Sequence, residues 1–393
     1  NKTDGFERPV LCSDKIFQFG DAIAIVAADT EAHARAAADA VKVEIEELPA
    51  YMNAMDAKEP DAIEIHPGIP NVFYETNCIK GPDFDWDSIP DAQQVEIESY
   101  CSRQPHLHLE PDCGYGYIDE DGMVTVHSKS IGIHLHMPMI AGGIGVPMEE
   151  LRLVQNHTGG TFGYKFSPTN EALIGAAVKI TGRPVSLIFN QFQNITYTGK
   201  RSPAFMHIKL GADKDGKLLA MWGDNYVDHG PYSEFGDLLT MRLSQFTGAG
   251  YGIPNIRGKG RTVCTNHCWG AAFRGYGAPE SEFPSEVLMD MLAEKLGMDP
   301  FELRALNCYK EGDTTPTGQT PEVMSLPEMF DIMRPKYEAA KKRAKDLSTP
   351  EVKRGVGVAL GVYGAGLDGP DTSEAWVELN EDGGVTVDSS WED

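Results

Sequence analysis

Apolar and polar residues alternate along much of the chain from Gln94 onward, and this pattern predicts a mainly β structure with helices inserted. Asp-Gly pairs at 121–122, 215–216 and 382–383 lie between alternating segments, and such pairs are typical of tight β-hairpin turns. The first and third pairs begin the near-repeats DGMVTV and DGGVTV. These repeats favour an internal duplication, with chance recurrence of a common hairpin string as the alternative.

Helical periodicity and capping residues predict where the helices lie. Pro284 falls inside the helix predicted from about Pro279 to Leu296 and indicates either a late start or a kink in that helix. The helix predicted over 328–346 is amphipathic, and we expect it to connect two larger units. The predicted helices are one capped by Ser167 and ending before Gly182, one from about Pro279 to Leu296 with Gly297 as its stop, one opened by Asp299-Pro300, and one over 328–346.

The order of these patterns predicts an α+β fold. Near the N-terminus, an apolar run at 22–28, a helix from Thr30 through Val41 and an alternating run at 43–48 together indicate a compact β-α-β unit. The segment 49–90 is rich in Pro, Asp and Gly and is interpreted as linker and loop. The predicted domains are 1–50 as a small α/β unit, 51–90 as linker, 91–325 as a mostly β domain with inserted helices, and 326–393 as the start of a second, similar domain.

Charge and cysteine content narrow the classes of partner. The chain of 393 residues has 34 Lys and Arg against 59 Asp and Glu, a net charge of −25, which disfavours nucleic acid and membrane surfaces as partners. No apolar run reaches the roughly 18 residues that span a bilayer. The 7 cysteines are scattered without a CxxC pair, which predicts reduced thiols, a cytoplasmic location, and no zinc or iron–sulfur site in this segment. Neither end resembles a natural terminus, so we expect a piece of a longer polypeptide.

Two glycine-rich loops are the strongest candidates for a binding site. The first, GGTFGYKFS at 159–167, follows the strand-like run 151–155, and the second, AAFRGYGAPE at 271–280, follows the run 261–264. Glycine lets the backbone approach a ligand closely, and a helix N-terminus beyond the loop favours an anionic group. Arg274 adds a planar donor suited to anionic or carbonyl-rich groups. Ligand-free turns and a surface arginine stacked on aromatic rings are the alternatives.

A second candidate is a metal site formed by His106, His108 and Glu110. In a strand these three side chains share one face, so the spacing permits a hydrolytic zinc site. Structural histidines in a β core are the competing interpretation. Two other groups of possible metal ligands have no further ligand residues near them in the sequence. They are His134 with His136, and Cys264 with His267 and Cys268.

Several motifs taken together resemble the molybdenum hydroxylase (xanthine oxidase) family, and most of all its bacterial aldehyde oxidoreductases. Their order along the chain is also that of the family. The matching segments are 8–49 with the family's hammerhead domain, Gln104, His106 and Glu110 with its Q-x-H-x-x-x-E signature, 160–165 with its G-G-x-F-G-x-K loop, 272–279 with its A-F-R-G-[FY]-G-x-P loop, and 299–307 with its D-P-x-E-L-R-x-x-N motif.

The resemblance implies a hammerhead-like α/β unit, a molybdopterin-binding domain and the start of a second one. It implies a molybdenum–pterin cofactor, expected as molybdopterin cytosine dinucleotide, with no direct side-chain ligand to the metal. The implied reaction is oxidation of aldehydes to carboxylic acids by metal-hydroxide attack and hydride transfer. Electrons would leave through the pterin to 2Fe–2S clusters outside this segment, and the family's catalytic glutamate would lie beyond Asp393. The implied cofactor-binding residues are Gly160, Thr161, Phe162, Gly163, Phe273, Arg274 and Gly275.

Departures from the family pattern point to the substrate. Phe166 stands where purine-oxidising members carry glutamate, Gly275 stands where carbon monoxide dehydrogenases carry cysteine, and Ile131 replaces a common glutamine. Phe166 and Ile131 favour a small aldehyde as substrate. The resemblance itself implies flavodoxin or ferredoxin as electron acceptor and a homodimer as the assembly. A zinc hydrolase and a non-catalytic, partner-binding fragment are the alternative functions. The expected substrate-pocket residues are Phe166, Tyr276, Phe235, Leu238, Tyr363 and Leu367.

Overall fold

The computed structural model describes residues 7–248, 250–364 and 375–389. The chain divides into two compact units, Asn1–Leu360 and Gly361–Asp393. The helices of the described residues are α1 (Glu31–Asp39), α2 (Ala54–Ala57), α3 (Ile133–Ile144), α4 (Glu171–Thr181), α5 (Gln191–Tyr197), α6 (Gly236–Gln245), α7 (Ala278–Leu296), α8 (Pro300–Asn307) and α9 (Leu326–Asp346). The strands are β1 (Val72–Lys80), β2 (Gln94–Cys101), β3 (Cys113–Ile118), β4 (Val124–Ser128), β5 (Leu151–Gln155), β6 (Val185–Ile188), β7 (Ala204–Ala212), β8 (Leu218–Gly230), β9 (Asn255–Cys264), β10 (Ala375–Leu379) and β11 (Val385–Ser389).

The larger sheet of the first unit has the strand order β1-β9-β8-β7-β2. Only the β8–β9 pair is parallel, and the other neighbours run antiparallel. Helices α6, α7 and α8 cover this sheet, and the principal core includes Ile208, Leu210, Leu243, Leu288 and Leu292. Just before β7, Lys200 and Arg201 form isolated β-bridges with Gly270 and Gln104, and β9 ends at Cys264, ahead of the second glycine-rich loop.

A second sheet has the order β5-β4-β3-β6, with β4 and β5 parallel. Helices α3 and α4 pack on it through a core that includes Val126, Ile140, Ile174 and Val178. Strand β5 of this sheet leads into the first loop, so the first loop extends from the smaller sheet and the second from the larger. In the second unit, β10 and β11 form an antiparallel hairpin.

The structure confirms the three hairpins and most helix ends. The Asp-Gly turns join β3 to β4, β7 to β8, and β10 to β11. Gly182 and Gly297 end α4 and α7 in the left-handed conformation, and the Asp299 side chain caps α8 by accepting from two backbone N–H groups.

Other expectations were wrong in detail. Residues 72–80, interpreted as linker, form an edge strand paired with β9. Ser167 is not a helix cap, because α4 begins at Glu171, whose carboxylate accepts hydrogen bonds from Thr169 and Ser128. Helix α7 begins before Pro284, so its start is not delayed. In the N-terminal unit the helix forms as α1, whereas the runs flanking it form no strand within the described residues.

Candidate cofactor site

The first loop connects β5 to α4 through a backbone that only glycine adopts easily. Gly160 and Gly163 have φ values of 105° and 108°, and Phe162 between them has a φ of 53°. A positive φ is costly for an aromatic residue, so the surrounding contacts must hold Phe162 in place. The Thr161 hydroxyl accepts a hydrogen bond from the Gly163 N–H at 3.0 Å. This contact occupies the Gly163 N–H, whereas no acceptor among the described residues contacts the Phe162 N–H.

The second loop meets the first directly. The N–H of Arg274 donates to the carbonyl oxygen of Phe162 at 2.9 Å, and the Arg274 guanidinium lies 4.9 Å from the centre of the Phe162 ring. A Cβ atom placed on Gly163 would lie 2.9 Å from the carbonyl oxygen of Ala272. Any side chain at position 163 would therefore push the loops apart. Phe162 and Arg274 are both exposed and form one surface open to a ligand.

A buried aromatic cluster lies beneath this junction. Tyr164 of the first loop packs with Tyr232, Trp269 and Ala271 in one apolar group. Arg8 adds to it from the N-terminal segment, with its guanidinium 4.3 Å from the Trp269 ring and paired with Glu234 at 3.3 Å. The loops thus rest on a rigid base, which pre-organised donors require.

Sequence reasoning missed Arg201, which supports the second loop. Its guanidinium donates to the Arg274 carbonyl at 2.8 Å and to Glu280 at 2.7 Å, and it lies 4.1 Å from the centre of the Phe273 ring. Its Nε donates to the Gln104 side chain at 3.1 Å. These contacts are all distant in sequence, and no local motif marks position 201, so the sequence carries no signal for this role.

The zinc hypothesis for His106, His108 and Glu110 is contradicted. The Nε2 atom of His106 is hydrogen-bonded to the Ala272 carbonyl at 2.7 Å, and Glu110 accepts from the Gly159 N–H at 2.8 Å. Leu107 has a φ of 49°, which breaks the strand geometry that the hypothesis needed. Across the described ranges, no group of three or more His, Cys, Asp or Glu side chains converges on a metal position.

The remaining candidate ligand groups are structural. His136 lies on helix α3 rather than in a β core, and its two ring nitrogens contact Ser130 and the Phe166 carbonyl, each at 2.6 Å. His134 on the same helix is exposed. All seven cysteines lie in the described part of the chain and are free, as the sequence predicted, including Cys264 and Cys268.

Of the expected pocket residues in the first unit, Phe166 and Tyr276 lie on the two loops, while Phe235 and Leu238 lie at and just after the start of α6. The Tyr276 hydroxyl donates to the Phe235 carbonyl at 2.6 Å, so these two residues adjoin each other. Phe235 has a φ of 61° and precedes helix α6, which carries Leu238 half-buried. Phe166 ends the first loop and is exposed. Tyr363 lies in the second unit and is exposed there, and Leu367 lies outside the described residues.

Buried charges behind the first loop set its electrostatics. Lys165 is fully buried, and its Nζ lies 3.2 Å from Glu110 and 3.7 Å from Asp112. Burial alone would raise the pKa of Glu110, but hydrogen bonds from Lys129, Gly159 and Lys165 lower it to about 2. Burial raises the pKa of Asp112 to about 7 despite the opposing effect of Lys165. Lys165 is therefore neutralised chiefly by Glu110.

Matches to protein families cover nearly the whole chain. Residues 65–308 match the molybdopterin cofactor-binding domain, residues 1–49 match the a/b hammerhead domain of aldehyde oxidase and xanthine dehydrogenase, and residues 332–393 match a second molybdopterin cofactor-binding domain. The chain therefore belongs to the xanthine oxidase family, and most of it matches the molybdopterin-binding domains of that family.

Within this family the chain is similar to proteins named aldehyde oxidoreductase. The aldehyde oxidoreductase of Megalodesulfovibrio gigas is 61% identical over 393 residues, which is 100% of this chain and 43% of that protein. The crystal structure of the aldehyde oxidoreductase from Desulfovibrio desulfuricans matches with a TM-score of 0.94 and 68% identity, covering 97% of this chain and 42% of that one.

A more distant relative is the nicotinate dehydrogenase large molybdopterin subunit of Eubacterium barkeri. It is 34% identical over 318 residues, which is 80% of this chain and 74% of that protein. The chain thus spans less than half the length of the aldehyde oxidoreductases that it matches, and about three quarters of this subunit. No helix of the described residues is both long and apolar enough to cross a membrane.

The residues at the loop junction fit a pterin-held metal centre. Within the described structure, no acceptor contacts the N–H of Phe162 or of Gly275, so both donors are open to a ligand. An exposed Arg274 guanidinium stands beside them. Neutral backbone donors and a fixed cation suit an anionic, oxygen-rich group, and they supply no side-chain ligand that would compete for the metal.

Proposed function

We propose that this chain is the molybdenum-binding part of a longer aldehyde oxidoreductase, which oxidises aldehydes to carboxylic acids. The observation that carries the proposal is the junction between Phe162 and Arg274, where two glycine-rich loops from different sheets present open N–H groups beside a guanidinium. The identity of 61% with an aldehyde oxidoreductase supports the choice of reaction.

The residues of this chain bind and orient the reacting groups. When bound, the molybdenum cofactor supplies oxygen-atom transfer and accepts two electrons. The Phe162 and Gly275 N–H groups would donate hydrogen bonds to its anionic oxygens, and Arg274 would neutralise part of its charge. Phe273 packs alongside and is itself held by Arg201. Gly160, Thr161 and Gly163 shape the first loop, which keeps these donors fixed before a ligand arrives.

The expected substrate pocket is apolar and suits a small aldehyde. Phe166 and Tyr276, which lie on the two loops, and Phe235, whose carbonyl accepts from Tyr276, would supply aromatic surface, and Leu238 of α6 would supply aliphatic surface. Apolar walls exclude water and orient an aldehyde mainly through its carbonyl group. The expectation that Tyr363 and Leu367 line the substrate pocket stays a prediction from the family resemblance.

The finer assignments follow the resemblance. We propose molybdopterin cytosine dinucleotide as the form of the cofactor, and 2Fe–2S clusters elsewhere in the complete polypeptide as the route for electrons. Flavodoxin or ferredoxin would then be the acceptor, the assembly a homodimer and the location cytoplasmic. The catalytic base is expected outside this chain.

Metal and pterin analysis of the complete protein tests the proposal. We expect about one molybdenum per chain, pterin fluorescence after denaturation, release of a cytidine nucleotide on hydrolysis, and oxidation of acetaldehyde with an artificial electron acceptor. Stoichiometric zinc without molybdenum would overturn the proposal. Absence of any cofactor, with normal folding, would support a non-catalytic fragment.

A further inference from the structure

The segment 104–110 contacts both glycine-rich loops, although it belongs to neither. It connects β2 of the larger sheet to β3 of the smaller sheet. The two loops extend from these same two sheets. A connector in this position is able to set the distance between the loops.

Burial in this segment is the reverse of what the hydrophobic effect favours. Leu107 is 61% exposed and Leu109 is 98% exposed, whereas His106 and His108 are 7% and 5% exposed. Burying a leucine is worth about 1.5–3 kcal/mol, so specific contacts must hold the polar side chains inward. Leu107 also has a left-handed backbone, with a φ of 49°. Strain of this kind is typical of functional positions.

His106 holds the second loop. Its Nε2 contacts the Ala272 carbonyl at 2.7 Å, and its ring centre lies 4.4 Å from that of Phe273. Burial lowers the pKa of His106 to about 3, so the ring is neutral near pH 7. Because a carbonyl only accepts, the proton is on Nε2, which donates to Ala272.

Glu110 holds the first loop four residues later. Its Oε2 accepts from the Gly159 N–H at 2.8 Å and from Lys165 at 3.2 Å, while Oε1 lies 2.7 Å from Lys129. Gly159 is the first residue of the loop and Lys165 lies near its other end, so one carboxylate contacts both parts of the loop. Gln104 supports the second loop indirectly, because its side chain accepts a hydrogen bond from Arg201, which in turn donates to the Arg274 carbonyl.

We propose that residues 104–110 form a clamp that fixes the separation of the two loops, with His106 and Glu110 as positioning residues for the cofactor. The proposal rests on the proposed function for the identity of the ligand. The clamp itself is defined by contacts within the chain, so it can be tested with and without cofactor.

Amide hydrogen exchange in the complete, cofactor-free protein tests the clamp directly. His106→Phe keeps an aromatic ring but leaves the Ala272 carbonyl without its donor. We expect exchange of the Arg274 amide, which bonds Phe162, to rise at least about tenfold, with the Met206 amide of β7 unchanged. His106→Gln restores an N–H donor and should return exchange toward the wild-type rate. His134→Phe, at an exposed histidine, is the matched control.

Glu110→Asp provides an independent variant that keeps the negative charge near Lys165. Its oxygens withdraw by one methylene group, so we expect faster exchange of the Gly159 amide. Glu120→Asp, at an exposed position, is its control. If His106→Phe destroys folding, this second variant still decides the question.

Molybdenum content of the same variants, purified from cells that make the cofactor, links the clamp to binding. We expect the content of His106→Phe to fall at least about tenfold, as for other residues that orient a metal site, and that of His106→Gln to recover. Unchanged Arg274 exchange in His106→Phe, or equal defects in the Phe and Gln variants, would overturn the clamp. A wild-type protein without molybdenum would overturn the proposed function, and amide exchange alone would then decide the clamp.

Discussion

The carbonyl oxygen of Phe162 accepts a hydrogen bond from the N–H of Arg274, and the Arg274 guanidinium covers the Phe162 ring at 4.9 Å. This pair joins a loop of the smaller sheet to a loop of the larger one. Because the bond uses the backbone of both residues, it survives changes of either side chain. The side chains therefore contribute to ligand binding separately from the loop junction.

Arg274→Lys tests the role of the guanidinium without breaking the junction. Lysine keeps the charge but lacks the planar fork and the stacking on Phe162. We expect cofactor retention or turnover to fall at least about tenfold, which corresponds to about 1.4 kcal/mol. Molybdenum content and steady-state rates of the complete enzyme measure the effect. Arg183→Lys, at an exposed arginine, is the control, and equal values for both variants would refute the assignment.

Gly163→Ala tests how closely the loops approach. The added Cβ would lie 2.9 Å from the Ala272 carbonyl, and position 163 also has a positive φ of 108°. Gly122→Ala is a matched control, since its φ is 80° but nothing lies within 4 Å of the added atom. Both variants incur backbone strain of about 1 kcal/mol. We expect Gly163→Ala to lose a further ~1–3 kcal/mol of unfolding free energy from the clash.

Urea denaturation of these two glycine variants measures the difference. A larger loss in Gly163→Ala, with faster exchange of the Arg274 amide, is the expected outcome. Equal losses in the two variants would mean that the loops have room at position 163.

His108 predicts a pH dependence of stability. Burial lowers its pKa from 6.5 to about 4, and both ring nitrogens lack a hydrogen-bond partner among the described residues. Between these values the unfolded chain binds a proton that the folded chain does not, so stability falls as the pH falls from 6.5 toward 4. His108→Phe loses no hydrogen bond and removes this contribution.

Urea denaturation at pH 7 and pH 5 checks this expectation. The loss of unfolding free energy between the two pH values should be smaller in His108→Phe than in wild type, by on the order of 1 kcal/mol. His134→Phe should keep the wild-type difference. A loss as large in His108→Phe as in wild type would show that His108 is charged in the folded protein.

Local signals in the sequence were sufficient for turns and helix ends. Asp-Gly pairs, Gly182, Gly297 and the Asp299 cap act within a few residues, so their conformations follow from the residues themselves. The two glycine-rich loops were visible for the same reason. Ser167 failed as a cap because α4 begins only at Glu171, whose carboxylate accepts hydrogen bonds from Ser128 of β4 and from the Thr169 N–H.

Long-range contacts decided what the sequence could not show. Strand β1 exists because β9 pairs with it, and no periodicity within 72–80 indicates that partner. Arg201 gains its role from Gln104 and Glu280, which are distant along the chain. The zinc hypothesis assumed a regular strand, and the left-handed conformation of Leu107 removed that geometry.

Substrate choice gives the last prediction, which concerns Phe166. The Phe166 carbonyl is held by His136, so its side chain can be changed while the backbone stays fixed. Apolar walls discriminate a methylene group by only ~1–3 kcal/mol, so turnover should differ less between acetaldehyde and benzaldehyde than between either aldehyde and a purine. Xanthine should be rejected much more strongly, because its ring nitrogens would enter an apolar pocket without partners.

Steady-state assays of the complete enzyme on acetaldehyde, benzaldehyde and xanthine measure the selectivity. Phe166→Leu should keep this order, whereas Phe166→Glu should weaken use of benzaldehyde by placing a carboxylate in the pocket. Comparable turnover of xanthine by the wild-type enzyme would contradict the assignment of Phe166 to the pocket.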